Sequence, residues 1–286
     1  MSRLLQFVIP KFLDFSDYKK TRSRIRNLEY QVTELQYRLR HYADIDNYYA
    51  EILSILRPTL YKSSTEATKV TRIGSNGDGG YLILTESASN SMWITFGLGT
   101  NTDFEKELVN NGCTVNAFDH TLDIPPSIRN QHFKWHKHGL SSVSSSTMIT
   151  LQDLEREHVM QGRDWHLKFD IEGNEWNILE DIPKMKNPPR SIACELHNLR
   201  WTVNSDDNLT RLHRLRSLTE SYEVLHINGN NYSANLIGTK SSLHDVMEVL
   251  LVKSVKSHLN NEYSPFRFEN QKNDIAGNQT ETELLP

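Results

Sequence analysis

The chain has 286 residues, enough for one large domain or two small ones with a buried core. Its formal net charge is −4, so no overall electrostatic attraction to nucleic acid is expected. The two cysteines, Cys113 and Cys194, lie in apolar runs, which argues against a disulfide framework or a cysteine metal site and fits a reducing, cytoplasmic compartment.

The first fifteen residues, MSRLLQFVIPKFLDF, are apolar but shorter than the roughly 20 residues that span a bilayer. Pro10 interrupts the run and no small-residue cleavage site follows, so we do not interpret it as a signal peptide. A helix packed on the chain's own surface is expected, with contact to a membrane surface or a partner as the alternative.

Residues 1–60 are predicted to form a separate helical segment, which Pro58 ends. Apolar or aromatic residues recur there at spacings of three and four, interrupted at Asp46, and they are Ile25, Leu28, Val32, Leu35, Leu39, Tyr42, Tyr49, Leu53 and Leu56. Such heptads favour a coiled coil of two or three chains, so a homo-oligomer is expected. One long amphipathic helix packed on its own domain is the alternative.

Apolar runs and helical patterns alternate over residues 61–263, which we assign to one α/β domain. Strands are predicted at residues 92–96, 113–118, 132–136, 166–171, 191–196, 222–227, 232–237 and 247–252, and helices at 103–110, 147–158, 175–182 and 207–221. This alternation predicts a parallel sheet covered on both faces, with an antiparallel edge formed by the last strands. Residues 264–286 are polar and aperiodic and are predicted to be disordered.

The run FGLGTN follows the strand at residues 92–96. Gly97 and Gly99 permit a sharp turn and the close approach of a ligand, and the helix behind them offers unpaired N–H groups. Asp119, at the end of the next strand, stands where an acid accepts hydrogen bonds from ribose hydroxyls. A dinucleotide and S-adenosylmethionine both fit. However, Thr102 replaces the third glycine of a dinucleotide site, and the carboxylates after it would repel a pyrophosphate.

Several motifs follow one another between Arg72 and Val252, in the order RIGSNGDGGYLI, SMWITFGLGTNTDFEKEL, GCTVNAFDHT, TMITLQDLE, HLKFDIEGNEWNIL, ACELHN and HINGNNYS. Together they resemble the FkbM-like class I methyltransferases, in particular a branch with a Gly-Asp-Gly-Gly-Tyr box. The resemblance implies a Rossmann-like seven-stranded sheet with an antiparallel last strand. It also implies S-adenosylmethionine as methyl donor and O-methylation, often of a sugar hydroxyl.

The resemblance further implies which residues bind the donor. Matched by motif, they are Asp78, Gly97, Gly99, Thr100, Asp119, His120, Leu140, Ser141 and Asp170. The chain departs from the family pattern before the first glycine, where Thr95 and Phe96 replace the usual acid. Glu105 is our candidate for the missing carboxylate.

Two neighbouring strands are followed by polar side chains, Asp170 and Glu172 in DIEG and Glu195 and His197 in ELHN. Because parallel strands end at the same edge of a sheet, we expect these four catalytic candidates to lie together. The cluster can act as a general base, with His197 as the first choice. Alternatively, Asp170, Glu195 and His197 hold a divalent metal, or the cluster is only structural.

The run HINGNNY carries His226, Asn230 and Asn231, which we predict to bind the substrate. Amide side chains donate and accept hydrogen bonds at once, which suits a substrate rich in hydroxyl groups. A simple hairpin turn explains the same run.

The favoured interpretation is a cytoplasmic S-adenosylmethionine-dependent O-methyltransferase that acts on a sugar hydroxyl of a glycan or polysaccharide. Its expected partners are a saccharide acceptor and further copies of the chain, and no nucleic acid. Peripheral attachment to the inner face of a membrane, beside glycan-assembly proteins, is a further expectation from the apolar start and the heptads. The alternatives are a catalytically inactive coiled-coil scaffold and an NAD(P)-dependent oxidoreductase.

Overall fold

The computed structural model describes residues 15–58, 69–159, 162–237 and 242–254. The chain forms two compact units, Met1–Asp46 and Asn47–Pro286. The sequence placed this boundary near residue 60. Almost all of the apolar start and the whole of the predicted tail at 264–286 lie outside the described residues. No helix in the described ranges is both long enough and apolar enough to cross a membrane.

The predicted heptad segment is two helices instead of one, α1 (Phe15–Arg40) and α2 (Tyr42–Ile55), with a bend at His41. In α1 the apolar positions Ile25, Leu28, Val32 and Leu35 are between 50% and 59% exposed. In the second unit, by contrast, α2 buries its apolar side, formed by Tyr48, Tyr49, Ile52, Leu53 and Leu56. A single continuous seam was therefore the wrong expectation for the second half of the segment, which packs on its own domain.

The core of the second unit is a seven-stranded sheet. Its strands are β3 (Met92–Phe96), β4 (Thr114–Phe118), β5 (Phe133–His136), β8 (His166–Phe169), β9 (Ser191–Leu196), β10 (Tyr222–Gly229) and β13 (Met247–Lys253). Their spatial order is β10-β13-β9-β8-β3-β4-β5. The five strands from β9 to β5 are parallel, and β13 runs antiparallel to both β9 and β10. This confirms the predicted Rossmann-like class I methyltransferase sheet.

Helices and short elements connect these strands. The helices are α3 (Asp103–Asn110), α4 (Leu151–His158) and α5 (Ser205–Thr219), and the small strands are β6 (Gly139–Leu140), β7 (Met148–Ile149), β11 (Asn235–Ile237) and β12 (Ser242–His244). The predicted strand at 232–237 is reduced to β11, which pairs with β12 outside the main sheet. The predicted helix at 147–158 starts at Leu151, because Thr150 and Asp153 form a capping box at its first turn.

The predicted helix at 175–182 is wrong. Two short 3-10 turns, Asn174–Asn177 and Ile182–Lys184, replace it. The side chain of Glu175 accepts a hydrogen bond from the backbone N–H of Ile171, and Pro183 stands in the second turn. Both features favour tight turns over a continuous α-helix.

A hairpin that the sequence reasoning did not identify, β1 (Val70–Gly74) with β2 (Gly80–Leu84), packs with α3 against the sheet. Phe104 of α3 makes edge contacts with Tyr81 and Trp93, with ring centroids 5.5 Å apart in each pair. The hairpin carries the Gly-Asp-Gly-Gly-Tyr box in its turn and second strand, so this packing places the box beside the sheet's carboxyl edge.

Candidate active site

The parallel strands end level with one another. Phe96 pairs with Phe118 on one side and with Phe169 on the other, and Phe169 pairs with Cys194. The residues that follow these positions, Gly97, Asp119, Asp170 and Glu195, therefore lie along one edge of the sheet. Ligands of doubly wound folds bind at this edge.

The two glycines of the turn after β3 have different surroundings. Gly97 has a φ of +72°, and a Cβ there would lie 1.6 Å from the carbonyl oxygen of Asp170. Gly99 has a φ of +56°, and a Cβ there would meet no atom within 4 Å. Lys168 Nζ donates to the Gly97 carbonyl at 2.7 Å, and this hydrogen bond stabilises the turn. Gly97 thus permits close packing of the chain, whereas Gly99 faces open space that a ligand can enter.

Asp119 stabilises the glycine turn through hydrogen bonds. Its Oδ2 accepts hydrogen bonds from the N–H groups of Leu98 and Gly99, both at 3.0 Å, and its Oδ1 accepts from the N–H and the hydroxyl of Thr121. Burial alone would raise the pKa of Asp119, but these hydrogen bonds lower it. The predicted ribose contact must therefore compete with four hydrogen bonds that the carboxylate already accepts.

The turn of the Gly-Asp-Gly-Gly-Tyr box lies against the glycine turn. Asn101 Nδ2 donates to the carbonyl of Asp78 at 2.8 Å, and Gly74 N donates to Glu107 at 2.8 Å. The side chain of Asp78 is exposed, as is Thr100. The structure thus brings these two predicted donor-binding residues to the same place.

Glu105 lies in the interior, with 1% of its surface exposed. Burial raises its pKa, although the charge of Lys168 acts in the opposite direction. Within the described part of the chain, its Oε1 has no hydrogen-bond partner. Glu105, our candidate for the missing carboxylate, thus lies in the interior and not at the exposed edge of the sheet.

The predicted donor-binding residues Leu140 and Ser141 belong to a segment that lies beside His120. A Cβ on Gly139 would come within 2.6 Å of His120 Nδ1, and Leu140 is buried next to it. Ser141 lines a groove of about 1120 Å³ between α4 and the 3-10 turns. That groove contains none of the four predicted catalytic residues, so we place the chemistry at the carboxyl edge and not in the groove.

His197 lies among four carboxylates. Its Nδ1 is 2.9 Å from Oε1 of Glu175, which is completely buried. Its Nε2 is 3.5 Å from Glu172 Oε2, 3.6 Å from Glu195 Oε2 and 3.7 Å from Asp170 Oδ1. The structure therefore brings together all four residues that the strand ends predicted, and we call them, with Glu175, the rim cluster.

The charges in the rim cluster shift two pKa values. Burial alone would lower the pKa of His197, but the hydrogen bond to Glu175 and the charges of Glu175, Asp170 and Glu195 outweigh it and raise the pKa to about 9. Burial, with the charges of Asp170 and Glu248, raises the pKa of Glu195 to about 8. An imidazole that keeps its proton at neutral pH is a poor proton acceptor. The reason for choosing His197 as base, a pKa near working pH, does not hold in these surroundings.

The sequence did not predict that two further residues, Glu175 and Tyr81, lie at this edge. The Tyr81 hydroxyl lies 3.0 Å from Asp170 Oδ2 and 3.4 Å from Glu195 Oε1, so the tyrosine of the Gly-Asp-Gly-Gly-Tyr box connects the two acids. A signal for Tyr81 was present, since it ends that box. Glu175 follows DIEG in the sequence, but nothing in the local pattern predicts its contact with His197.

The three predicted substrate residues are not equivalent. Asn230 Nδ2 lies 3.4 Å from both carboxylate oxygens of Glu195, so Asn230 belongs to the rim. Asn231 is exposed in the turn that follows. His226 lies within β10, opposite Leu250, and its register places it below the edge.

The loops that carry the rim cluster have unusual backbones. Glu172 has a φ of +56° and Asn198 a φ of +58°, in the left-handed region that residues other than glycine seldom adopt. Such conformations concentrate at functional sites, because the surrounding structure must stabilise them. Asparagine adopts this region more readily than glutamate, so Glu172 is the strained residue, and its conformation fits a functional edge.

No protein-family model and no curated protein matches the sequence. Among solved structures, the chain is similar to a Streptococcus mutans protein described as a methyltransferase and solved in complex with SAH (13% identity, 58% of this chain and 88% of that chain, TM-score 0.33). It is also similar to the N-methyltransferase NodS from Bradyrhizobium japonicum (11%, 57% and 85%, TM-score 0.32) and to Aeropyrum pernix fibrillarin with bound S-adenosyl-L-methionine (8%, 68% and 87%, TM-score 0.33). The assignment of the fold rests on the strand order and not on these similarities.

Proposed function

We propose that this protein is an S-adenosylmethionine-dependent O-methyltransferase that methylates a sugar hydroxyl of a glycan or polysaccharide. The observation that carries the proposal is the strand order, with antiparallel β13 between β9 and β10, as the resemblance to FkbM-like methyltransferases implies. The choice of a sugar is supported by that resemblance and by Asn230, whose amide lies beside Glu195 at the rim.

In this proposal the donor lies between the glycine turn and the rim cluster. Gly97, Gly99 and Thr100 border its methionine part, and His120, beside Asp119, borders the adenosine. The sulfonium is cationic, so the carboxylates of the rim favour its approach. The turn and the rim then hold the methyl group and the acceptor oxygen in line for displacement.

Methyl transfer forms a carbon–oxygen bond as the carbon–sulfur bond breaks. The electron pair of the broken bond stays on sulfur and gives S-adenosylhomocysteine, and the hydroxyl proton passes to the rim cluster. In a second form of the same chemistry, Asp170, Glu195 and His197 would hold a divalent ion, which would supply Lewis acidity to lower the pKa of the acceptor hydroxyl.

Calorimetry with S-adenosylhomocysteine and with a nicotinamide dinucleotide tests the proposal against its two alternatives. We expect only S-adenosylhomocysteine to bind. Binding of the dinucleotide alone would indicate an oxidoreductase, and binding of neither would favour an inactive scaffold.

The catalytic assignment has its own test, transfer of a labelled methyl group to a panel of saccharides. We expect Asp170→Asn to lower the rate by about 100-fold or more, the usual effect of removing a proton-transfer group. We expect His197→Ala to lower the rate as well, because the imidazole lies among the carboxylates of the rim cluster and neutralises part of their charge. Full activity in both variants would reject the rim cluster as the catalytic centre, even if S-adenosylhomocysteine binds.

A further inference from the structure

We propose that the rim cluster binds one divalent cation directly through three atoms, His197 Nε2, Asp170 Oδ1 and Glu195 Oε2. The proposed function is needed only to say what the ion does, because the case for binding rests on geometry and charge.

The distances from His197 Nε2 to two carboxylate oxygens are close to those between ligands of one ion. Nε2 lies 3.6 Å from Glu195 Oε2 and 3.7 Å from Asp170 Oδ1. These separations exceed the usual hydrogen-bond range of about 2.7–3.2 Å. Ligands at about 2.0–2.2 Å from one metal ion lie roughly 3–3.6 Å from each other. Glu175 differs, since its 2.9 Å contact with Nδ1 is an ordinary hydrogen bond.

In each of the three side chains, the polar atom that is not a proposed ligand contacts another residue. Asp170 Oδ2 and Glu195 Oε1 face the Tyr81 hydroxyl, and His197 Nδ1 faces Glu175. Histidine ligands of metals usually donate their second ring N–H to a carboxylate in this way, which fixes the tautomer and the ring orientation. The two carboxylate oxygens therefore lie within 3.7 Å of His197 Nε2, and contacts outside the proposed site orient all three side chains.

One of these atoms lacks a partner. Asp170 Oδ1 is buried and has no hydrogen bond to any described residue. Oε2 of Glu175 is also buried without a partner among the described residues, but Glu175 is not one of the three proposed ligands. Burying unpaired carboxylate oxygens is costly, and a coordinated cation removes that cost.

The charge of the cluster is not balanced by basic side chains. In the described ranges, no lysine or arginine forms an ion pair with any of the four carboxylates around His197, and the nearby Lys168 Nζ donates to the carbonyls of Phe96 and Gly97 instead. Four carboxylates against one imidazole favour a divalent cation at this point.

The ligand set indicates the type of ion. Two carboxylate oxygens with one imidazole nitrogen suit Mn²⁺, Mg²⁺ or Zn²⁺, and they do not suit the soft ions that thiolates bind. Three protein ligands leave coordination positions open, as catalytic sites require. Under the proposed function, a bound ion would supply Lewis acidity to an acceptor hydroxyl, and the exposed carboxylate of Glu172 would accept the proton.

Titration of the chelator-treated full chain with Mn²⁺, followed by electron paramagnetic resonance, tests the site. We expect one Mn²⁺ per chain, and a dissociation constant raised at least about 10-fold in Asp170→Asn and Glu195→Gln, with Glu175→Gln also weaker. Glu248→Gln is the matched control, because Glu248 pairs directly with Glu195 across the strands but is not among the carboxylates within 4.0 Å of His197. We expect Glu248→Gln to bind Mn²⁺ at least as tightly as the unaltered chain, because it removes a charge that raises the pKa of Glu195.

Absence of saturable binding, or an equal loss in Glu248→Gln, would overturn the metal site. Calorimetry with S-adenosylhomocysteine on the same samples separates this outcome from failure of the proposed function. A chain that binds S-adenosylhomocysteine but no Mn²⁺ contradicts the metal site alone. Thermal melting of each variant shows whether a loss of Mn²⁺ comes from unfolding.

A different observation, the exposed apolar side of α1, carries a second inference. We infer that this side binds α1 of a second copy of the chain in a parallel two-stranded coiled coil. β-Branched Ile25 and Val32 occupy the first apolar position of each heptad, and Leu28 and Leu35 occupy the second. This combination favours parallel dimers over trimers.

The charges beside the apolar positions fit the same partner. Arg24 and Glu29, five residues apart, stand at the two flanking positions of the heptad. In a parallel pair in register, Arg24 of one copy faces Glu29 of the other, and symmetry forms this pair twice. One heptad later, Gln31 and Gln36 stand at the same two flanking positions. Both are neutral, so no like charges face each other at these positions in the dimer.

Sedimentation analysis of the full chain over a concentration series should show a dimer. Leu28→Asp with Leu35→Asp should give a monomer, whereas Tyr30→Asp should remain a dimer, since Tyr30 is on the outer side of the heptad and is 70% exposed. Arg24→Glu should weaken the dimer, and adding Glu29→Arg should restore it. A monomeric or trimeric unaltered chain, or a monomeric Tyr30→Asp variant, would contradict the inference.

Discussion

Gly97→Ala should abolish stable folding of the second unit. The added Cβ would lie 1.6 Å from the carbonyl oxygen of Asp170, which belongs to the backbone and cannot move aside as a flexible side chain can. The φ of +72° adds a left-handed backbone penalty of about 1–2 kcal/mol. We expect a loss of more than about 4 kcal/mol in the free energy of unfolding, a large part of the total for a typical domain.

Gly99→Ala is the matched variant for this prediction. The φ of Gly99 is also positive, but its Cβ would meet nothing within 4 Å, so only the backbone penalty of about 1–2 kcal/mol applies. The protein should fold, and its affinity for S-adenosylhomocysteine should fall because the methyl group enters the space open to a ligand. Urea denaturation and calorimetry measure the two effects. Similar unfolding free energies for the two variants would contradict the packing described for Gly97.

The parts of the fold that local patterns specify were predicted well. Met92–Phe96 and Ser191–Leu196 are buried on every residue, as continuous apolar runs in a parallel sheet should be. The bounds of α3, Asp103–Asn110, were also predicted correctly, because its apolar residues recur on one side. In these elements local propensity and tertiary packing agree.

Tertiary contacts decided the parts that were missed. Two similar apolar series became an exposed helix and a buried one, because α2 packs in the second unit and the heptad pattern does not reveal its partner. The segment after DIEG forms 3-10 turns, since Glu175 is held by the N–H of Ile171 and by His197. The contact between Glu175 and His197 joins residues 22 positions apart and leaves no periodic signal in the sequence.

The candidate site shows the same division. The sequence predicted that Asp170 and Glu195 share one edge of the sheet. Each stands at the carboxyl end of a predicted strand, and parallel strands end at the same edge. The role of Asp119 could not be read in this way. An acid after the second strand predicts a ribose contact, but hydrogen bonds to the glycine turn already occupy its carboxylate. Only the folded structure shows that the N–H groups of Leu98, Gly99 and Thr121 already donate to this carboxylate.

Asp119→Asn tests whether the acid holds the turn. The amide has one oxygen and one NH₂ group, and its NH₂ must face either the N–H groups of Leu98 and Gly99 or the donors of Thr121. Two hydrogen bonds to a charged acceptor are lost if the NH₂ faces Leu98 and Gly99, and one is lost if it faces Thr121, whose hydroxyl can accept from the amide instead. The cost is therefore at least about 1.5–3 kcal/mol. Asp123→Asn is the control, because its side chain is 93% exposed in an ion pair with Lys137 and such substitutions change stability by about 0.5 kcal/mol or less.

The pKa of Asp119 gives this prediction a pH dependence with a definite sign. A carboxyl whose pKa is lowered by folding stabilises the protein above its unfolded value of about 3.9, and this stabilisation is lost as the pH falls toward the folded value. The difference in unfolding free energy between the unaltered chain and Asp119→Asn should therefore be largest near neutral pH and should shrink in acid. S-adenosylhomocysteine affinity should fall in parallel, because the turn that borders the donor is no longer held. If urea denaturation at pH 7 shows no difference between Asp119→Asn and Asp123→Asn, the turn is stable without the carboxylate and Asp119 is left free to bind ribose.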